Sequence, residues 1–166
     1  NNSVEISLFW SHFNVLMRNV IISGCIGIYL YDSHNNTFFR NDIYCGFGIY
    51  FDQFSSNNRI FLNSFINSIA EGICGWNHWH SPQKIMYVYN DQIHIGFVGN
   101  YWSLYNGTDE NNDGIGDVPY KNMDHYPIMV PLKDFKAFTL IVDFYPRNFI
   151  IKTGMGEYAS FCVTIR

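Results

Sequence analysis

Asp109, Asn111, Asp113 and Asp117 put oxygen-bearing side chains at alternating positions of one short stretch, with Gly114 directly after the third. A hard cation such as calcium takes six to eight oxygen ligands at about 2.3–2.6 Å, and a D-x-N-x-D-G loop supplies them by folding tightly round the ion. Glycine suits the sharp turn that such a loop requires. Ile115 falls where the loop offers a backbone carbonyl, and Asp117 where it offers a direct or water-bridged carboxylate. Position twelve, which carries a bidentate Glu in an EF-hand, is Tyr120. Calcium held by Asp109, Asn111, Asp113, Ile115 and Asp117 is therefore the expectation, at the weak affinity of extracellular modules. The alternative is a solvated turn whose Asp and Asn side chains cap their own backbone.

Three other groups of residues could do chemistry. Asp32 and Asp52 each end a Gly-Ile-Tyr segment, and a carboxylate pair is what glycoside cleavage needs. Each also opens an Asn- and Ser-rich turn, which Asp caps well, and no third acid or basic partner falls on the same face. Tyr29 and Tyr50 alternate with apolar neighbours, so both point outward, where stacked rings suit sugars or simply stabilise a sheet. His78-Trp79-His80 sets two imidazoles on one face of a strand, a spacing open to copper or zinc. No cysteine or methionine lies in register with that pair, so it reads as surface histidines. His125, in the Asp124-His-Tyr-Pro127 element, reads as bonding within the cap that this element belongs to. Cys25, Cys45, Cys74 and Cys162 form no CxxC, and they read as buried free thiols.

The elements that carry these residues repeat. Offset by 22, Asn14-Val-Leu-Met-Arg-Asn19 matches Asn36-Thr-Phe-Phe-Arg-Asn41 and then Asn58-Arg-Ile-Phe-Leu-Asn63. Leu16, Phe38 and Ile60 form one apolar column, Ile21, Ile43 and Phe65 a second, and Ile28, Ile49 and Ile73 a third. Three inward columns per period describe a coil of three short strands stacked on the next coil, a right-handed parallel β-helix. A leucine-rich repeat is excluded, since its L-x-x-L-x-L-x-x-N run and any helical stripe are missing. Asn19, Asn41 and Asn63 should stack at one corner as an amide ladder. From Trp76 to Val98 the repeat is lost to an aromatic-rich stretch.

Residues 99–131, GNYWSLYNGTDENNDGIGDVPYKNMDHYPIMVP, closely resemble the block that closes the β-helix in NosD-like proteins. These are pectin-lyase-like surface proteins of archaea and bacteria, related to a periplasmic copper-site maturation protein. The D-x-N-x-D-G core is also similar to the calcium loops of thrombospondin type-3 repeats. The resemblance implies β-helix coils over 1–98 and a cap over 99–132, with Tyr101, Trp102 and Tyr105 covering the last coil. It does not extend to a copper site, so copper is not expected. Beyond it, 133–166 reads as three strands, from Ala137, Asn148 and Tyr158, that open an immunoglobulin-like sandwich without completing it.

Only 14% of residues are charged, against 48% hydrophobic and 19% aromatic, and 19 asparagines make up the polar difference. A net charge of −4 offers no basic footprint for nucleic acid. No apolar run is long enough to span a membrane. The chain opens in mid-pattern on Asn1 without a leader, and three N-x-S/T sequons (Asn1, Asn35, Asn106) fit an exported piece of a multidomain protein. The reading is a non-catalytic, extracellular or cell-surface (or periplasmic) module. It would bind polysaccharide or a cell-envelope component and be steadied by calcium. The alternatives are a pectinase-like lyase or hydrolase and a periplasmic copper-site accessory.

Overall fold

The short apolar triplets of the repeat are separated by corners whose backbone is left-handed. Arg18, Arg40 and Leu62 take φ of 57, 55 and 53°, and each directly precedes a ladder asparagine. The left-handed region costs an ordinary L-residue roughly 1 kcal/mol, so something must hold these corners. The computed structural model describes residues 4–72 and 76–138, and the backbone of strands at 149–152 and 158–161. It is all-β, a parallel β-helix with an antiparallel sheet laid against it.

The coils are β1 (Val4–Phe9), β2 (Val15–Met17) and β3 (Val20–Ile22), then β4 (Ile26–Tyr31), β5 (Thr37–Phe39) and β6 (Asp42–Tyr44), then β7 (Phe47–Phe51), β8 (Arg59–Phe61) and β9 (Ser64–Phe65). A fourth begins with β10 (Ile69–Gly72). The first sheet runs β1-β4-β7-β10, the second β2-β5-β8, and the third β3-β6-β9. Leu16, Phe38 and Ile60 stand in register, as do Ile21, Ile43 and Phe65. Phe38, Ile60 and Phe65 are fully buried. In the third column Ile28 meets Ile49 as expected, but Ala70 follows, after a register shift at Ile69 and Ala70. Ile73 lies outside the described residues. A small residue suits the place, because the same core also takes the Trp79 indole, edge-on to Phe51.

The fourth coil is interrupted, and its repeat is not lost at Trp76. His78 bridges Arg59 in parallel, and after an excursion β13 (Tyr101–Trp102) pairs with β9. The excursion is a hairpin, β11 (Ile85–Tyr89) and β12 (Gln92–Gly96), which β14 (Lys136–Phe138) extends on the other side of β11. Alternation turns Phe39 and Phe61 away from the helix interior, where their rings stack at 5.5 Å. The hairpin sheet covers them, so that Tyr87, Val98, Ile115, Ile128, Phe135 and Ala137 join them in a second core. Phe135 and Ala137, at the entry to the expected sandwich, are thus buried against the cap. A separate antiparallel pair follows, β15 (Phe149–Lys152) with β16 (Tyr158–Phe161). Cys25 is exposed and Cys45 buried, both as free thiols, so the expectation of burial holds for the second alone. Cys74 and Cys162 are outside the described residues.

The corners are held by amides. The Asn41 Nδ2 donates to Asn63 Oδ1 and to the Leu16 carbonyl, both at 2.9 Å. Its Oδ1 accepts from the backbone and side-chain nitrogens of Asn19, so every donor and acceptor of that buried side chain is used. A second ladder runs Asn14, Asn36, Asn58, Asn77 in the same fashion. The first continues from Asn63 to Asn100, 37 residues on instead of 22, and ends on Asp124. The Asp124 Oδ2 accepts from Asn100 N (2.8 Å), Asn100 Nδ2 (3.1 Å) and Trp102 Nε1 (2.9 Å), and Oδ1 from Tyr126 N (3.1 Å). A carboxylate only accepts, so the ladder stops there. Gly99 leaves the room, since a Cβ on it would stand 1.9 Å from Asp124 Oδ1.

Burial pushes the Asp124 carboxyl up to about 6, against the hydrogen bonds from Trp102, Asn100 and Tyr126. The folded state therefore binds this proton more tightly than the unfolded chain. This group's contribution to stability is greatest below about pH 4 and falls as pH rises through about 6, by on the order of 3 kcal/mol. Asp124→Asn should flatten that slope in denaturant titrations run between pH 4 and 7; an unchanged slope would remove Asp124 as its source. Asn41→Leu strands the partners of one ladder step in a dry place and should cost about 3 kcal/mol or more. Asn14→Ala, at a half-buried step of the second ladder, should cost less, about 1 kcal/mol, both read from denaturant unfolding.

Candidate functional site

The outward carboxylates are absorbed by turns. The Asp52 Oδ1 accepts from the backbone of Asp32 (3.2 Å), Phe54 (3.3 Å) and Ser55 (2.8 Å), and Asp32 pairs with His34 at 2.9 Å. Burial pushes the Asp52 carboxyl up, but the bonds from Ser55, Asp32 and Phe54 outweigh it and hold it below the ordinary value. A general acid needs the opposite shift. The two aspartates lie on adjacent coils as the repeat requires, in the geometry of turn caps.

Tyr29 and Tyr50 face each other across β4 and β7 and are half-buried, with ring centroids 5.6 Å apart and planes tilted by 47°. Phe9 meets Tyr29 edge-on at 5.7 Å, and Trp10 meets Tyr31 at 5.5 Å, so an aromatic ribbon climbs this face.

In the acidic loop the side chains turn onto their own backbone. The Asp109 carboxylate accepts from Asp113 N (3.0 Å) and Gly114 N (2.8 Å), Asn111 Oδ1 from Asp113 N (3.1 Å), Asp113 Oδ1 from Ile115 N (2.9 Å), and Asp117 Oδ2 from Glu110 N (2.6 Å). Gly114 takes φ of +87°, with the Tyr89 ring where a Cβ would stand. Ile115 is buried and bridges Ile128, which fastens the loop to the cap. The arrangement is that of a turn capping itself, with its oxygens gathered on one short segment.

Residues with nitrogen and sulfur side chains line a cleft elsewhere. Where the interrupted fourth coil meets the cap, an open cleft of about 550 Å³ is lined by Glu71, His78, His80, Lys121, Met123 and His125, among others. Trp79 points into the core, which leaves its neighbours outward. The His78 Nε2 meets the Asn57 Oδ1 at 3.1 Å, and His80 Nδ1 meets the Ser81 carbonyl at 2.8 Å. Burial, Arg59 and His80 together hold the His78 imidazole below its ordinary pKa, which favours its neutral form. The His80 ring is clamped edge-on by Phe97 at 5.1 Å and Tyr126 at 5.3 Å. His125 is exposed at the cleft, and its neighbour Asp124 makes the bonds within the cap, which corrects the expectation for that histidine. Met123 could not be placed beside His78 and His80 from spacing, because the Tyr120–Asp124 turn brings it there.

The family model described as "Periplasmic copper-binding protein (NosD)" matches residues 1–107, well over half of the sequence. The chain belongs to the NosD family. The "Probable ABC transporter binding protein NosD" of Stutzerimonas stutzeri is 34% identical over 80 residues, 47% of this chain and 15% of that protein. The chain thus spans about a seventh of that curated relative's length. No solved structure matches. No helix among the described residues is long and apolar enough to cross a membrane.

The family description leans against setting copper aside. Among the described residues no three His, Cys, Asp or Glu side chains gather closely enough to hold a metal. The cleft lining includes imidazole and thioether side chains, which are donor types that copper takes.

Proposed function

We propose that this chain is the capped end of an exported, non-catalytic β-helix that serves as a copper-handling accessory, with copper received in the cleft between the fourth coil and the cap. The observation that carries this reading is an open cleft lined by His78, His80, Met123 and His125 in a NosD-family chain. The relative's description as an ABC transporter binding protein supports a role in delivery, and the family's periplasmic description supports an exterior location. Hydrolysis or lysis at Asp32 and Asp52 is disfavoured by their use as turn caps. Metal-free chain titrated with Cu(I) without oxygen, and with Cu(II) in air, should retain one equivalent of copper through gel filtration. That copper should be released below about pH 5 as the imidazoles protonate. Passage of both ions in the unbound fraction at neutral pH would end the copper reading.

Calcium and carbohydrate belong to the same proposal as secondary ligands. Calcium at Asp109–Asp117 is supported by the convergence of oxygens and the Gly114 turn, but the ion must displace backbone N–H groups already bonded to those oxygens. The affinity should therefore sit at the weak end, about 10⁻⁴–10⁻³ M. A polysaccharide or envelope partner is supported by the aromatic ribbon through Tyr29 and Tyr50. One thermal-shift series checks both. Calcium at a hundred times its dissociation constant should stabilise by about 2.7 kcal/mol, and Asp113→Ala should remove that gain. A polysaccharide panel should shift the wild type but not Tyr50→Ala. Flat curves would leave the loop a capped turn and the ribbon a packing device.

A further inference from the structure

Of the three N-x-S/T sequons, the fold leaves one free to react. N-linked modification needs an asparagine amide open to solvent and a hydroxyl two residues on. It also needs a stretch of backbone that is not committed to a sheet, as surface loops provide. Asn35 meets only the second condition. It is half-buried at a corner with φ of 58°, and its Oδ1 accepts from Asn57 Nδ2. Thr37, which completes that sequon, opens β5 and stands in register between Val15 and Arg59 of the second sheet. Asn1 lies outside the described residues.

Asn106-Gly107-Thr108 differs in each respect. It lies in a stretch without regular secondary structure, and both Asn106 and Thr108 are exposed. Among the described residues neither side chain has a hydrogen-bond partner, and the backbones of Asn106 and Gly107 make no hydrogen bond. The segment nevertheless has a fixed place. The Tyr105 ring occupies the space that a Cβ on Gly107 or on Gly116 would need, and its Oη donates to the Val118 carbonyl at 2.6 Å. The middle position of the sequon must therefore be glycine, a residue that a sequon accepts where proline is refused. Asp117 N donates to the Thr108 carbonyl at 2.8 Å and closes the loop behind it. Leu104 and Val118, each 52% exposed, flank Tyr105 and leave an apolar rim close to the free amide.

We propose that Asn106 is a site of N-linked glycosylation, taking its glycan from a lipid-linked oligosaccharide through an oligosaccharyltransferase met during export. The Asn106 amide nitrogen attacks the anomeric carbon of the first sugar. The N–C bond forms as the C–O bond to the lipid diphosphate breaks, the diphosphate leaves with the electron pair, and the amide proton passes to a base of the transferase. Nothing is oxidised or reduced. The inference rests on the exported reading above and is independent of copper.

The test uses the full-length protein in the cells that make it, separated into interior and exterior fractions. Mass spectrometry should find a glycan on the peptide that contains Asn106 in the exterior fraction, and none on the peptide that contains Asn35. Asn106→Gln and Thr108→Ala should each abolish the modification, and Thr108→Ser should retain it. Circular dichroism checks that each variant is folded, and the two wild-type peptides need no variant at all. Exterior protein with Asn106 bare, or with the glycan on Asn35 instead, would overturn this site while the exported reading stands. Protein confined to the interior and unmodified would overturn both.

Discussion

The solenoid depends on amide-to-amide hydrogen bonding at its corners. Each coil must turn sharply between strands of three residues or so, and it does so by placing Arg18, Arg40 and Leu62 in the left-handed region without the help of glycine. The asparagine after each strained residue offsets that cost twice over. Its carboxamide holds the coil before and the coil after, and it satisfies backbone groups that would otherwise be buried unpaired. Because every buried amide passes one donor forward to the next carboxamide and one back to a carbonyl of the preceding coil, the chain of amides has a direction. It must end on a group that takes several donors and gives none. Asp124 is that group, and the buried carboxylate takes the last donors of the ladder.

The end of the ladder and the cleft share the same few residues. Asp124 and Tyr126 secure the last coil, while Met123 and His125, interleaved with them, line the cleft. The hairpin inserted into the fourth coil works similarly. One of its faces covers Phe39 and Phe61, and its connections carry His80 at one end and Phe97 at the other, so the insertion that hides the outer sheet also shapes the cleft wall. A β-helix of this kind gains a cleft where its repeat is broken, since the regular coils spend their polar side chains on one another. Asp32 and Asp52 illustrate the point, being well placed by the repeat and bonded through Oδ1 within its turns.

Much of the scaffold was legible. The 22-residue offset located the ladder of Asn19, Asn41 and Asn63 and two of the three apolar columns, because a parallel β-helix puts residues one period apart directly over one another. The reading failed where the period changed. Asn100 continues the ladder 37 residues after Asn63, and the hairpin between them conceals the match. Ala70 occupies the place assigned to Ile73 because a register shift moves the column, and nothing local announces that shift. Of the candidate sites, Tyr29 and Tyr50 meet as alternation requires, and the acidic loop forms the tight turn that its glycine permits.

What the sequence determined by itself was the coil: its period, its inward columns, its stacked asparagines and the sharp acidic loop, all features governed by contacts at a fixed separation along the chain. What only the tertiary structure decided was the closing end. Asp124 reads as one more surface acid until it is seen beneath Asn100 and Trp102, and Met123 reads as unrelated to His78 until the turn folds back over the fourth coil. The physical reason is the same in both cases. Repeats bring residues together by periodicity, which a sequence displays, whereas caps do so by a single non-repeating path. The partners along that path are chosen by the burial and hydrogen bonds of the finished fold.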